Sequence, residues 1–182
     1  MEVPKGIIRP AMDSMRESVF ATLGNLTDSS FLDLFSGSGI IALEAASRGA
    51  THIEAVESDV QKRKTLLKNV SMAPVRIHCH FQPAENYIKR AKRGFSYIFC
   101  DPPFNYRFKW DLLHSIMLSP LAETGSLILL HRPREDAMPL DLLHPSGMQA
   151  DSAGPDPDTP ALFYLEQTKT YGRSQVDFIR KQ

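Results

Sequence analysis

Between residues 31 and 143 the chain alternates short apolar runs with helix-length amphipathic stretches, and this alternation constrains the fold more than any other feature. Strands separated by such segments run parallel, because a crossover of that length returns the chain to the same end of a sheet. Residues 31–35, 52–57, 75–80, 95–100 and 126–131 are predicted strands. Residues 40–48, 59–70, 84–92 and 109–118 are predicted helices. Gly49 and Gly94 stand just past two of these, where a left-handed C-terminal cap is expected, and Asp59 stands where it would cap the start of another. Ahead of the sheet, Met15, Val19 and Leu23 recur at helical spacing and predict a further helix on the domain edge. Residues 162–169 and 174–179, joined by Tyr171-Gly172-Arg173, predict a closing hairpin that makes the sheet mixed. The fold class is α/β: a mostly parallel seven-stranded sheet with an antiparallel C-terminal hairpin and helices on both faces.

A chain of 182 residues is most simply one domain. Within 1–182, residues 1–30 form an N-terminal arm and helix, 31–143 the alternating core, 144–160 a mobile proline-rich loop, and 161–182 the hairpin. Basic and acidic side chains number 21 each, which excludes a surface that is basic throughout but leaves room for a local patch. Cys79 and Cys100 fall in predicted strands and are expected as reduced thiols. No apolar run reaches membrane-spanning length and the opening residues are no signal peptide, so the expected location is cytoplasmic. The six histidines show no metal-ligand spacing, and no metal is expected.

Two strings carry the chemistry. In Asp33-Leu34-Phe35-Ser36-Gly37-Ser38-Gly39 only four residues turn the chain from a strand into a helix. Gly37 and Gly39 can take positive φ there and let a ligand approach the backbone. A pyrophosphate-binding turn normally carries a third glycine, where this chain has Ala42. The turn therefore fits a cofactor without phosphate at least as well as a dinucleotide. Glu57 ends the second strand at about the separation expected of a ribose-binding acid; the plain alternative is an acid facing solvent. Asp33, inside the first strand, either holds the glycine turn or faces the cofactor, since a buried acid needs a partner.

The second string, Asp101-Pro102-Pro103-Phe104, follows an apolar strand without a gap. Two prolines cannot continue a central strand, and they stiffen the path that follows. Chemistry on an exocyclic amine is mainly a positioning problem, because its lone pair is conjugated into the ring. An Asp101 oxygen and the Pro102 carbonyl would each accept an amine hydrogen and aim the lone pair at an incoming methyl carbon. Phe104 would stack on the base, worth ~1–3 kcal/mol. Read alone, the string is also a tight loop capping a strand.

With both strings in this order, the chain resembles the amino-group methyltransferases of the Rossmann-like class. It is most similar to the RsmD family, which methylates N2 of a guanine in 16S ribosomal RNA. The likeness rests on Ile8-Arg9-Pro10 with Asp13, Arg16, Glu17 and Phe20; on the glycine turn with Leu43-Glu44-Ala45 and Ser47-Arg48; on Asp101 to Phe104; and on Tyr171-Gly172 before a final strand. It implies S-adenosylmethionine as donor, bound by Asp33, Phe35, Ser36, Gly37, Ser38, Gly39, Glu57, Ser58 and Asp101. Pro83 replaces the polar residue that usually reads the adenine, which puts Gln82 beside Ala84 in that role. Asp101, Pro102, Pro103 and Phe104 would hold the target amine.

The implied partner is 16S ribosomal RNA or an assembling small subunit, with the protein a monomer away from membranes. Arg9, Arg16, Arg107, Lys109 and Arg132 are the expected phosphate contacts, with Tyr106 and Trp110 walling the base pocket. The basic runs 62–64 and 89–93 read as solvated helix faces. Competing readings are an amino-methyltransferase acting on DNA adenine, DNA cytosine or protein glutamine, or a binding module without catalysis. A nicotinamide-dependent enzyme is disfavoured by Ala42.

Overall fold

A computed structural model describes residues 10–139, 143 and 162–182, with side chains from Met12 onward. Seven strands form one sheet: β1 (Ser30–Leu34), β2 (His52–Val56), β3 (Ile77–His80), β4 (Tyr97–Cys100), β5 (Leu127–Pro133), β6 (Phe163–Tyr171) and β7 (Ser174–Lys181). Their spatial order is β3-β2-β1-β4-β5-β7-β6. The first five run parallel, while β7 lies antiparallel to both β5 and β6.

A parallel sheet needs cover on both faces, and alternation along each strand divides the apolar side chains accordingly. Phe31 turns to the face covered by α1 (Pro10–Leu23), α2 (Ile40–Ser47) and α3 (Arg63–Val70), where it packs with Val19, Phe20, Ala42 and Leu66. Leu32 and Leu34 turn to the other face, covered by α4 (Ala84–Lys89) and α5 (Lys109–Leu118), among Ile88, Leu113 and Ile116. Burying each such side chain contributes roughly 1.5–3 kcal/mol.

Local chemistry shifts several boundaries from those predicted. Helix α3 starts at Arg63, not at Asp59. The Asp59 carboxylate instead accepts the Gln61 N–H (2.9 Å), a local turn that competes with helix. Helix α4 stops at Lys89, so Gly94 lies beyond its cap; its N–H goes to the Glu123 carboxylate, and φ is not positive. Gly49 does take φ +100° behind α2. Strand β5 runs on to Pro133 because β7 pairs with it through Arg132↔Gln175 and Pro133↔Ser174. The loop predicted at 144–160 lies outside the described residues, as does Arg9.

Candidate active site

Strand order reverses between β1 and β4, and in such sheets ligands bind beyond the carboxyl ends of the strands at that point. Backbone pairing continues past the strands there. Ser36 N–H donates to Val56 (2.9 Å), Glu57 N–H to His80 (3.0 Å) and Asp101 N–H to Leu34 (3.4 Å). The glycine turn, Glu57 and the diproline loop are thus brought side by side around a cleft of about 850 Å³.

The turn is held from three sides. Ser36 Oγ donates to the Asp33 carbonyl (2.7 Å), Gly39 N–H to the Ser36 carbonyl (2.7 Å), and Asn69 Nδ2 of α3 to the Ser38 carbonyl (2.9 Å). Phe35 is left-handed at φ +66°, a conformation costing a side-chain-bearing residue roughly 1–2 kcal/mol, and its ring meets Tyr106 edge to face. Gly37 (φ +56°) faces the cleft, and a Cβ there would meet nothing nearer than the Phe35 carbonyl oxygen at 4.0 Å.

Gly39 (φ +79°) is buried behind the turn, and a Cβ there would lie 2.5 Å from Leu66 Cδ1 and 3.0 Å from Val70 Cγ1. Gly39→Ala therefore combines left-handed strain with overpacking and is expected to destabilise the fold by ~2–4 kcal/mol. Thermal melting would show a Tm lower by roughly 5–15 °C, and an unchanged Tm would contradict the packing described.

Glu57 is buried, yet both its oxygens are engaged. Oε2 accepts the Gly37 N–H (2.7 Å) and Oε1 the Asp59 N–H (2.7 Å), with Lys62 Nζ 3.6 Å from Oε2. A carboxylate has about four acceptor positions, so one lone pair on each oxygen remains for a vicinal diol. Asp33 lies beneath the cleft without lining it, and its Oδ2 is buried without a partner. Burial pushes its carboxyl well above the usual range, the charges of Asp101 and Glu57 push the same way, and the Ala42 N–H opposes them.

In the diproline loop, Asp101 Oδ1 accepts from the ring nitrogen Nδ1 of His131 (2.7 Å). Pro102, Pro103 and the half-exposed Phe104 continue along the cleft wall. Tyr106 N–H closes the loop onto the Pro103 carbonyl (2.7 Å), and its hydroxyl donates to Glu85 of α4. Burial and the Glu85 carboxylate hold that phenol well above its usual range.

Of the residues singled out in the sequence, Phe35, Gly37, Glu57, Ser58, Ala84, Asp101, Pro102, Pro103, Phe104 and Tyr106 line the cleft. Ser36, Ser38, Gly39 and Gln82 do not; at the Gln82 position it is Pro83 that faces inward. Met12, Asp59, Lys62, Glu85 and His131 line it without having been foreseen. Lys62 had the look of a solvated helix residue, and His131 showed no catalytic spacing.

The expected phosphate contacts divide. Arg107 is exposed beside a shallower 280 Å³ depression that Trp110 also lines, so Trp110 is no wall of the main cleft. Arg16 pairs with Asp13 (2.9 Å) on α1. Lys109 and Arg132 are corrected: both are buried, the first paired with Asp136 and the second with Asp177 (2.5 Å). The extension of β5 turns the segment around Arg132 from an exposed loop into a covered strand. The cleft lining holds four carboxylates, Glu57, Asp59, Glu85 and Asp101, against one lysine, Lys62.

Over residues 1–156 the chain matches the protein family described as "Conserved hypothetical protein 95". It is 31% identical over 172 residues to the protein of Escherichia coli K12 named "Ribosomal RNA small subunit methyltransferase D", covering 93% of this chain and 84% of that one. Among solved structures, yhhF from Escherichia coli superposes with a TM-score of 0.78 at 23% identity, over 100% of this chain and 91% of that one. SMU.776, solved in complex with SAH, superposes with a TM-score of 0.68 at 16% identity, over 95% of this chain and 50% of that one.

Proposed function

Because the chain belongs to the family described as conserved hypothetical protein 95, the RsmD family of methyltransferases, we propose that it transfers a methyl group from S-adenosylmethionine to the exocyclic N2 amine of a guanine in 16S ribosomal RNA. The observation that carries this reading is one cleft shared by the glycine turn with Glu57 and by the loop from Asp101 to Phe104.

The residues present fit the cofactor. Gly37 leaves its backbone open to close approach, and Glu57 keeps a free lone pair on each oxygen for the ribose hydroxyls. Four carboxylates to one lysine favour a cation over a pyrophosphate, and S-adenosylmethionine carries a sulfonium and an ammonium. When bound, it supplies an electrophilic methyl group. Ser58 and Ala84 lie along the same wall, with Pro83 where a polar contact to the adenine would stand.

Asp101 Oδ2 and the Pro102 carbonyl accept the two amine hydrogens, which turns the nitrogen lone pair toward the methyl carbon. Oδ2 is also the atom placed to take the proton that the methylated amine releases. Phe104, half exposed at the mouth, stacks on a guanine flipped out of its helix. Arg107 and Arg16, together with Arg9 outside the described residues, are the expected cations left to meet phosphate. The reading includes a monomeric protein, one domain, cytoplasmic, acting on ribosomal RNA or an assembling small subunit. No helix among the described residues is long and apolar enough to cross a membrane.

The test is methyl transfer in solution. Small subunits and naked 16S RNA from cells lacking the gene are incubated with the protein and methyl-labelled S-adenosylmethionine, then digested to nucleosides. Label in N2-methylguanosine is expected. Label confined to methylated adenosine, or none in either substrate, would overturn the proposal.

A further inference from the structure

Resting on that reading of the cleft, we propose that His131 is the positioning residue of the amine-binding loop, fixing Asp101 through Nδ1–H and bracing Phe104 with its ring. Register puts it there. Strands β4 and β5 pair in parallel with Cys100 opposite Leu130, so Asp101, just past the end of β4, stands beside His131, which is still within β5. On its other flank β5 is tied to β7, His131 lying opposite Val176. The imidazole is 1% exposed, so neighbouring strands hold it and solvent does not.

Asp101 needs such an outside donor for a reason written into its own sequence. An aspartate at a loop start usually fixes its carboxylate on the N–H two residues on. Here the two following residues are Pro102 and Pro103, and neither has an N–H. The carboxylate torsion, intrinsically broad, is left to whatever donor the fold supplies. His131 Nδ1 supplies it at 2.7 Å from Oδ1, which leaves Oδ2 for the amine. A carboxylate only accepts, so the ring nitrogen donates. The same ring meets Phe104 edge to face at 5.4 Å. One side chain thus holds both ends of Asp101-Pro102-Pro103-Phe104. Its ring forms part of the cleft lining but is almost wholly covered, and its Nε2 is buried without a partner, so it acts through the loop and not on the substrate.

Three substitutions separate this role from packing. His131→Leu keeps an apolar filler and removes the donor. His131→Asn puts an amide N–H where Nδ1–H stands, whereas His131→Gln reaches the Nε2 position instead. The Leu and Gln variants are expected to lose about 100-fold in kcat, the scale of a displaced reacting group, with the Kd for S-adenosylmethionine and the KM for RNA within about threefold of wild type. The Asn variant is expected to recover to within about tenfold.

Two results would overturn the inference: His131→Leu retaining kcat within about threefold, or Asn performing no better than Leu at matched Tm. Asp101→Ala measured alongside distinguishes the two levels. If it too retains full transfer, the reading of the cleft fails; if it abolishes transfer while His131→Leu does not, only the role of His131 fails. Nitrogen NMR of the imidazole is independent of turnover. An Nδ1–H tautomer is expected, and an Nε2–H tautomer overturns the proposal whatever the rates.

Discussion

Asp101→Ala is expected to slow methyl transfer by on the order of 10²–10⁴ while leaving the fold and the cofactor site in place. That is a loss of about 3–5 kcal/mol in the transition state. The effect falls on kcat because the carboxylate sits at the junction of the two halves of the cleft, and the cofactor half keeps Gly37 and Glu57 intact. Stability changes less. Removing the carboxylate leaves the buried His131 Nδ1–H without its acceptor, which costs about 1–3 kcal/mol, a shift of a few degrees in Tm. Asp101→Asn should fall between wild type and Ala. Its amide has one oxygen, and that oxygen can face either the His131 N–H or the substrate amine, so one contact is lost in each orientation. Labelled transfer, calorimetry with S-adenosylmethionine and a thermal melt decide the matter together. Activity of Asp101→Ala within tenfold of wild type would remove Asp101 from the chemistry.

The contrast between Asp101 and its neighbours shows what a sequence makes legible. The sheet was readable because alternation is a local pattern with one parallel solution, and the closing hairpin announced itself through Tyr171-Gly172-Arg173. The two strings were readable because a glycine turn and a diproline loop are contiguous in the chain. Residues that arrive from elsewhere were not. His131 enters through the offset between β4 and β5, Glu85 through the first turn of α4, and Lys62 through the turn ahead of α3. Asn69, which ties α3 to the glycine turn, gave no signal at all. The misread charges have a single cause. Arg132 looks exposed in His131-Arg132-Pro133-Arg134, but β7 extends β5 over it and Asp177 waits there in the sheet. Asp136 does the same for Lys109. Such pairings depend on a partner far away in sequence.

Asp33→Asn is expected to make the protein more stable and its cofactor binding weaker, both for the same reason. Asp33 is fully buried in β1, with Oδ2 unpartnered and the charges of Asp101 and Glu57 nearby. Burial first, and those charges second, raise its carboxyl well above the ordinary value. The folded chain therefore holds the Asp33 proton more tightly than the unfolded chain does. Its contribution to stability is fully present below the ordinary carboxylate value and is lost as pH rises through the raised folded value. Asparagine does not titrate and has nearly the same shape. The stability difference between variant and wild type should thus be small in acid and grow with pH, levelling off above the raised value. A gain on the order of 1–3 kcal/mol at that plateau is what relief of a buried, poorly satisfied group supplies, or roughly 2–10 °C in Tm. Denaturant unfolding of both proteins across pH measures it, and the comparison cancels the titrating groups that do not interact with Asp33, including Glu54, whose carboxyl, against an opposing burial, is lowered by Tyr87, His52 and His80. The cost appears in function. Above its raised value Asp33 is ionised beneath four other carboxylates and deepens the negative field that a sulfonium enters, so there the Kd for S-adenosylmethionine should rise about 3–10-fold in Asp33→Asn, and below that value, where Asp33 is neutral, it should not change. A stability gap that does not widen with pH would contradict the buried, raised acid. A gap that widens with no change in cofactor affinity would leave the acid a burden on the fold with no return at the site, against the usual trade of stability for activity.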